Sequence, residues 1–205
     1  MTNGELELTK DAVIDLNDYT LNIAGDATNY YGINVLSGDV TVKNGNVTSA
    51  GWGFWLPKNS TAKLTLVDCN VSNGRKKNNA VAAFGGSLFI EGGEYNCTGA
   101  KDGSDVAYVI ALKGNGTYGE INTKVNVNGI SSGAITVLDG ATANITGGEY
   151  HAKEWHALNI NGSTVDYSED VVFTTEDGMK HIQVYENASK VNGVEKAAGT
   201  QWDVE

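Results

Sequence analysis

The sequence predicts an all-β fold, a parallel β-helix (β-solenoid) of about seven coils. A pair of apolar residues separated by one other residue recurs along the chain at steps of 21 to 29 residues. Each copy is followed by a Gly-containing turn, a second apolar pair, then Asn-Gly or Gly-Gly and one more apolar residue. Coils of this length cannot each bury their own apolar face, so they must stack and share one continuous core.

The first strand of each coil carries the recurring pair. Its leading members are expected to stack in one interior column, which comprises Ile33, Phe54, Val81, Ile110, Ile135, Leu158 and Ile182. Alternation with a period of two places the intervening residue outside, as with Trp55 between Phe54 and Leu56. Helices are disfavoured because Gly-Gly and Asn-Gly interrupt these short alternating runs.

A second and a third strand complete each coil. The second is expected at the pairs Val40 and Val42, Leu64 and Leu66, Leu88 and Ile90, Val125 and Val127, and Ala143 and Ile145. The third is expected after the Gly turn, at Val47, Val71, Tyr95, Ile130 and Tyr150. Residues 114–120 interrupt this spacing and are interpreted as an insertion. Strands that recur in the same direction pair in parallel, about 4.8 Å apart.

The 205 residues fit one domain. We expect the parallel β-helix to occupy residues 1–190 and a C-terminal cap or tail to occupy residues 191–205, where Trp202 can fold over the last coil. The composition is typical of strands and turns, with 26 Gly and one Pro. Gly and Asn suit a chain that turns repeatedly, because both adopt turn conformations at low cost.

The charge of the chain bounds its partners. With 25 acidic and 14 basic residues, the formal net charge is −11. Such a chain repels phosphate backbones and anionic membrane surfaces, so we expect no nucleic-acid and no membrane partner.

The first residues lack a signal-peptide pattern, and no apolar run has the length of a membrane span. A disulfide between Cys69 and Cys97, in neighbouring coils, is left open.

Three segments carry a resemblance to a known family. The run from Val13 to Leu21 and the two Gly-Gly-Glu-Tyr turns, at 92–95 and 147–150, resemble right-handed parallel β-helix proteins of the pectate-lyase-like superfamily. They most resemble the non-catalytic repeats of phage structural proteins and bacterial surface proteins. The resemblance covers roughly residues 5–190. It implies the fold, while the function stays open because that fold carries lyases, hydrolases, adhesins and virion spikes.

The catalytic members of that superfamily are a poor match. Pectate lyases use clustered aspartates for calcium and an arginine base, whereas Arg75 is the only arginine here and lies near no aspartate cluster. Adjacent aspartates and a Gly-His-Gly segment, typical of polygalacturonase-like members, are absent from the sequence. Glu94 and Glu149 share one position of the Gly-Gly-Glu-Tyr turn, about 10 Å apart if two coil steps separate them. We interpret them as outward strand residues and expect no catalytic residue and no cofactor.

No metal site is expected either. The three histidines are scattered, at His151, His156 and His181, and no cysteine or acidic residue completes a ligand set at a recognisable spacing. His156 and His181 lie near the start of the first strand in successive coils, so the sequence places them near one another. Asp102 and Asp105 fit a polar turn.

The expected contact residues are aromatic and N-terminal. Tyr30, Tyr31, Trp52 and Trp55 form either a contact surface for a protein or sugar or a cover for the solenoid end. The N-terminal coil, with Leu6, Leu8 and Ile14, has neighbours on one side only. We therefore expect a protein partner or self-association through the N-terminal end, with a glycan as a further ligand.

These observations favour a non-enzymatic structural or attachment module. The first hypothesis is a phage virion protein, such as a capsid decoration, head-fibre or tail component, located in the virion. The alternative is an adhesin or carbohydrate-binding segment at the bacterial cell surface or secreted. A polysaccharide-degrading enzyme is the third reading.

Overall fold

The computed structural model describes residues 6–23, 32–73, 79–97, 108–114, 116–126, 133–153, 155–176 and 178–204. All the regular secondary structure in these ranges is β-strand, which confirms the predicted all-β class. The strands are β1 (Leu6–Leu8), β2 (Ala12–Asp15), β3 (Thr20–Ile23), β4 (Ile33–Val35), β5 (Asp39–Ser49), β6 (Phe54–Leu56), β7 (Lys63–Asn73), β8 (Val81–Ala83), β9 (Ser87–Cys97), β10 (Tyr108–Lys113), β11 (Thr117–Asn126), β12 (Gly133–Leu138), β13 (Thr142–Ala152), β14 (Leu158–Asn161), β15 (Thr164–Tyr167), β16 (Val172–Thr175), β17 (Ile182–Val184), β18 (Ser189–Val191), β19 (Val194–Lys196) and β20 (Gln201–Trp202).

The strands form two sheets that wind together as a solenoid of about six turns, against the seven expected. The short-strand sheet has the order β1-β4-β6-β8-β10-β12-β14-β17-β20. The long-strand sheet has the order β2-β5-β7-β9-β11-β13-β15-β18-β19, with β3 also paired to β5 and β16 to β13. Successive coils pair in parallel, and only the final strands β19 and β20 pair antiparallel within the described ranges.

The predicted interior column is confirmed. In the short-strand sheet its members are register partners from coil to coil, and each has a relative exposure of 0%. They are Ile33, Phe54, Val81, Ile110, Ile135, Leu158 and Ile182. Alternation of apolar and other residues in each short strand therefore aligns into one buried column along the axis.

The second and third strands of five coils are joined. They form single strands of 11 residues in β5, β7, β9 and β13 and of 10 residues in β11, in place of the two short strands expected. The bend falls at residues with left-handed φ, such as Asn44 at 56° and Asp68 at 47°. Among the described strands, the second and third strands stay separate in the coil that starts with β1, as β2 and β3, and in the coil that starts with β14, as β15 and β16.

The Gly-Gly-Glu-Tyr turns have a steric cause. Gly93 has a φ of 82°, and a Cβ there would lie 2.0 Å from the carbonyl oxygen of Cys69. Gly148 repeats the arrangement against the carbonyl oxygen of Thr123, again at 2.0 Å. Only glycine fits where two backbones approach this closely.

The assignment of the second and third strands in the fourth full coil was wrong. Tyr118 and Ile121 occupy the second-strand position, since they pair with Leu88 and Ile90. Val125, expected there, is instead the third-strand residue and pairs with Tyr95 and Tyr150. The expected partners Val127 and Ile130 lie outside the described residues. The supposed insertion at 114–120 thus contains the start of β11, and a β-bulge between Tyr118 and Ile121 obscures its alternation.

The two cysteines are buried and not bridged. Cys69 is in register with Gly45 and Cys97 with Asn73, so they occupy different positions of their coils. The Cys69 thiol instead donates to the carbonyl oxygen of Val42 at 3.2 Å.

The two ends of the described solenoid differ. At the N-terminal end, β1 and β2 are edge strands, and Leu6, Leu8 and Ile14 are half-buried against the core. At the C-terminal end, β19 covers β18 and β20 covers β17, with Trp202 in register with Ile182. The indole of Trp202 packs against the core and donates to the hydroxyl of Tyr167 at 3.4 Å.

Candidate functional site

Trp52 and Trp55 form a stacked pair on the outer side of the short-strand sheet. Their ring centroids are 4.7 Å apart and their planes 13° apart. Trp55 is the outward residue at the centre of β6, as the alternation predicted. Trp52 lies three residues earlier in the same coil, and its indole Nε1 donates to Oδ1 of Asn79 in the next coil at 3.2 Å. The pair is therefore anchored to the next coil by this hydrogen bond.

The stacked pair continues along the axis as an aromatic row, which we define as Trp52, Trp55 and Phe84. Trp55 meets Phe84 edge to face at 4.7 Å. The ammonium of Lys113 lies 5.5 Å from the centroid of the Phe84 ring and 2.9 Å from a carboxylate oxygen of Asp139. All three rings remain partly exposed. They offer flat apolar faces beside a charge that is already paired.

Further along the same outer side lies an amide row, defined as Thr136, Asn159 and Gln183. The three residues are register partners in successive coils. Asn159 donates through Nδ2 to Oγ1 of Thr136 at 3.1 Å. Its Oδ1 is buried, the residue is 7% exposed, and that oxygen has no hydrogen-bond partner in the described part of the chain. The Oε1 of Gln183 is also unpartnered there. Two buried acceptors with unmet hydrogen bonds thus lie one coil apart.

Aromatic side chains lie beside the amide row. Tyr108, 8% exposed, is in register with Gly133 and occupies the space above it. Burial raises the pKa of the Tyr108 hydroxyl well above its ordinary range, so the hydroxyl keeps its proton. Trp155 and His156 meet edge to face at 5.5 Å. Tyr108, His156, Thr136 and Asn159 are all buried, so this part of the face packs within the protein.

The other expected contact residues are placed as follows. Tyr30 and Tyr31 lie outside the described residues. Leu6, Leu8 and Ile14 line the N-terminal coil. In the short-strand sheet, β4 lies between β1, which carries Leu6 and Leu8, and β6, which carries Trp55. The structure therefore brings Trp52 and Trp55 into one site and leaves the N-terminal leucines as a separate edge.

The two glutamates of the Gly-Gly-Glu-Tyr turns are two coil steps apart, as expected. Lys124 of β11 is in register with both Glu94 and Glu149 and lies between them. Its ammonium is 3.7 Å from a carboxylate oxygen of Glu149. A cationic side chain therefore stands between the two glutamates in this column of the sheet.

The histidines have separate neighbours. His151 bonds to Oγ1 of Thr174 at 2.9 Å and to the carboxylate of Glu176 at 3.1 Å. Nδ1 of His181 lies 3.8 Å from a carboxylate oxygen of Asp203. His156 is fully buried in the preceding coil, one register position from His181. In the described residues, no three His, Cys, Asp or Glu side chains group as metal ligands.

Sequence reasoning missed the roles of Phe84, Lys113 and Asn159. Phe84 follows Ala83 at an outward position, a signal visible in the alternation. Its contact with Trp55 depends on the register between β6 and β8, which the sequence spacing does not show. The unmet acceptor of Asn159 likewise depends on a neighbouring coil.

Comparisons with protein-family models, curated proteins and solved structures find no match to this chain. Across the described ranges, no helix is long and apolar enough to cross a bilayer.

Proposed function

We propose that this chain is a non-enzymatic structural and attachment module, in which the solenoid is a rigid rod and the aromatic row on the outer side of the short-strand sheet is the contact surface. One observation carries the proposal. Trp52 and Trp55 are stacked at 4.7 Å and partly exposed on the outside of the rod. Large, rigid aromatic side chains dominate the energy of contact surfaces, because they bury much apolar area at a small entropic cost.

The first form of the proposal is a phage virion protein, a capsid decoration, head-fibre or tail component located in the virion. It is supported by the resemblance to the non-catalytic repeats of right-handed, pectate-lyase-like β-helices and by the acidic surface of a chain with net charge −11. The contact is then a protein partner on the aromatic row, or self-association through the edge that carries Leu6, Leu8 and Ile14.

A second form is a carbohydrate-binding segment of a bacterial surface or secreted protein. The aromatic row supports it, because flat, partly exposed rings such as those of Trp52 and Trp55 suit the apolar face of a sugar.

Two measurements separate these forms. If the aromatic row binds protein in a self-complementary manner, sedimentation velocity will show oligomers of the wild type that Trp55→Ala reduces to monomers. If the face binds sugar, neutral glycans will change the tryptophan fluorescence of the wild type and not of Trp55→Ala. Tyr185→Ala is the control, because Tyr185 is an exposed aromatic residue, 47% accessible, after the last parallel strand of the same sheet. A monomer that responds to no glycan contradicts the use of this face.

The absence of catalysis is tested separately. The protein is incubated with pectin, polygalacturonate and neutral glycans, with and without calcium, and reducing ends are measured. We expect no turnover, because Lys124 lies between the two glutamates. Turnover abolished by Glu94→Gln or Glu149→Gln would show that the chain is an enzyme.

A further inference from the structure

A groove of about 530 Å³ lies on the long-strand sheet, apart from the face described above. This volume is within the range of small-molecule sites, about 300–1,000 Å³. Its lining includes Lys63, Thr65, Phe89, Glu91, Glu120 and Asn122. The lining therefore combines one aromatic ring with two carboxylates, an amide and an ammonium.

The groove forms at the β-bulge of β11. Tyr118 pairs with Leu88 and Ile121 pairs with Ile90, so two residues of β11 stand opposite the single residue Phe89. The second of the two, Glu120, has a left-handed φ of 57°. A left-handed residue in a strand re-aims its side chain relative to the regular alternation, and bulges are frequent beside functional sites.

Gly119 leaves one side of Phe89 open. A Cβ on Gly119 would lie 3.5 Å from Cε1 of Phe89, which is an ordinary van der Waals contact, and its φ is not left-handed. A larger side chain would thus be accommodated at this position and would cover the ring. Glycine is not required here by the backbone, and its effect is to leave the ring accessible from the β11 side.

The polar rim sets the charge of the ligand. Glu91 and Glu120 are exposed carboxylates, which only accept hydrogen bonds when ionised. The ammonium of Lys63 lies 5.3 Å from the Phe89 centroid and 3.6 Å from a carboxylate oxygen of Asp39, so its charge is already compensated. The rim is net negative and repels an acidic sugar, while the hydroxyls of a neutral sugar can donate to both carboxylates.

We infer that this bulge groove binds a neutral saccharide, with one pyranose ring on the open side of Phe89 and its hydroxyls donating to Glu91 and Glu120. The site is independent of the proposed function, because it lies on the other sheet and uses none of the residues of the aromatic or amide rows.

Saturation-transfer NMR tests the inference with cellobiose, maltose, mannobiose and N,N′-diacetylchitobiose as neutral probes and digalacturonate as the acidic probe. We expect transfer to at least one neutral disaccharide and none to digalacturonate. Gly119→Leu, which fills the groove, should weaken binding at least about tenfold, and Trp55→Ala should leave it unchanged.

Two outcomes overturn the inference: no neutral probe binds the wild type, or Gly119→Leu binds as well as the wild type. Thermal unfolding shows whether Gly119→Leu is folded. If it is not, the double variant Glu91→Gln, Glu120→Gln replaces it, since both side chains are exposed and their amides keep the shape of the rim. Undiminished binding by this double variant also overturns the inference. Loss of binding in Trp55→Ala instead assigns the sugar to the short-strand sheet.

Discussion

The side chain of Tyr108 occupies the space that a Cβ on Gly133 of the next coil would need. The two residues are register partners, and that Cβ would lie 2.1 Å from Cε1 of Tyr108. Tyr108 is only 8% exposed, so its ring has little room to move aside. The packing of this corner of the solenoid therefore depends on a glycine for steric reasons alone.

Gly133→Ala is expected to destabilise the protein by about 1–3 kcal/mol, the usual cost of forcing an added group into a packed site. Urea unfolding measures the change. The matched test repeats Gly133→Ala in a Tyr108→Ala background, where the ring is gone and the substitution should cost much less. Equal costs in the two backgrounds would show that Tyr108 is not the obstacle.

Ile135→Asp is expected to cost several kcal/mol, because it places a carboxylate in the interior column without a partner. Ile135 is fully buried between Ile110 and Leu158. Unfolding in urea and the yield of soluble protein report the loss. Thr142→Asp adds the same charge at an exposed position of β13 whose register partners, Thr117 and Thr164, are uncharged, and it should cost at most about 1 kcal/mol. Similar losses in both variants would mean that charge, not burial, is responsible.

The stability of the protein should fall between about pH 9 and pH 11 in part through Cys69. Burial raises the pKa of its thiol from the ordinary 9.0 to about 11. In this window the unfolded chain has released the thiol proton while the folded chain retains it, so unfolding becomes more favourable as pH rises.

Cys69→Ala isolates this contribution. The variant loses packing at every pH, but the difference in unfolding free energy between wild type and variant should shrink as pH rises from 8 to 10.5. Buried Tyr150 contributes equally in both proteins and cancels in the difference. Tyr95 is electrostatically coupled to Cys69, but burial raises its pKa well above the ordinary value, so its hydroxyl keeps its proton in the folded protein over this range. A difference that stays constant with pH would contradict the assigned shift.

The N-terminal coil is expected to mediate self-association or partner binding. Each half-buried side chain left without a neighbour forfeits roughly 1–2 kcal/mol of burial. Light scattering should show association of the wild type that Leu8→Lys, Ile14→Lys abolishes. The control Val13→Lys, Tyr19→Lys adds the same charge to the same coil at side chains that are 71% and 74% exposed. If wild type and both double variants are equally stable monomers, the end is closed within the chain.

The sequence predicted the short-strand sheet in detail because its signal is local. In every copy the residues of the column alternate with an outward residue, and the copies are in register even though the steps between them vary from 21 to 29 residues. Stacking aligns the strands, and the turns between them absorb the differences in length.

The long-strand sheet was less predictable where backbone geometry replaces alternation. Gly119 and Glu120, the latter with a left-handed φ, stand between Tyr118 and Ile121, so this apolar pair does not show the period-two spacing of a strand.

The candidate site was predicted in part. The outward position of Trp55 follows from alternation, whereas its contact with Phe84 requires the register between two coils. The bulge groove was missed because it forms where Gly119, which has no side chain, lies beside Phe89, and this contact depends on the bulged register between β9 and β11.

The antiparallel strands β19 and β20 make the C-terminal end of the rod different from its N-terminal end. A second copy stacked head to tail would have to continue the parallel sheets from strands of three and two residues that run the wrong way. The edges of β1 and β2 have no such obstruction among the described residues. Within the described residues, a strand of another chain can therefore add in parallel to β1 or β2, whereas β19 and β20 block such an addition to β18 and β17.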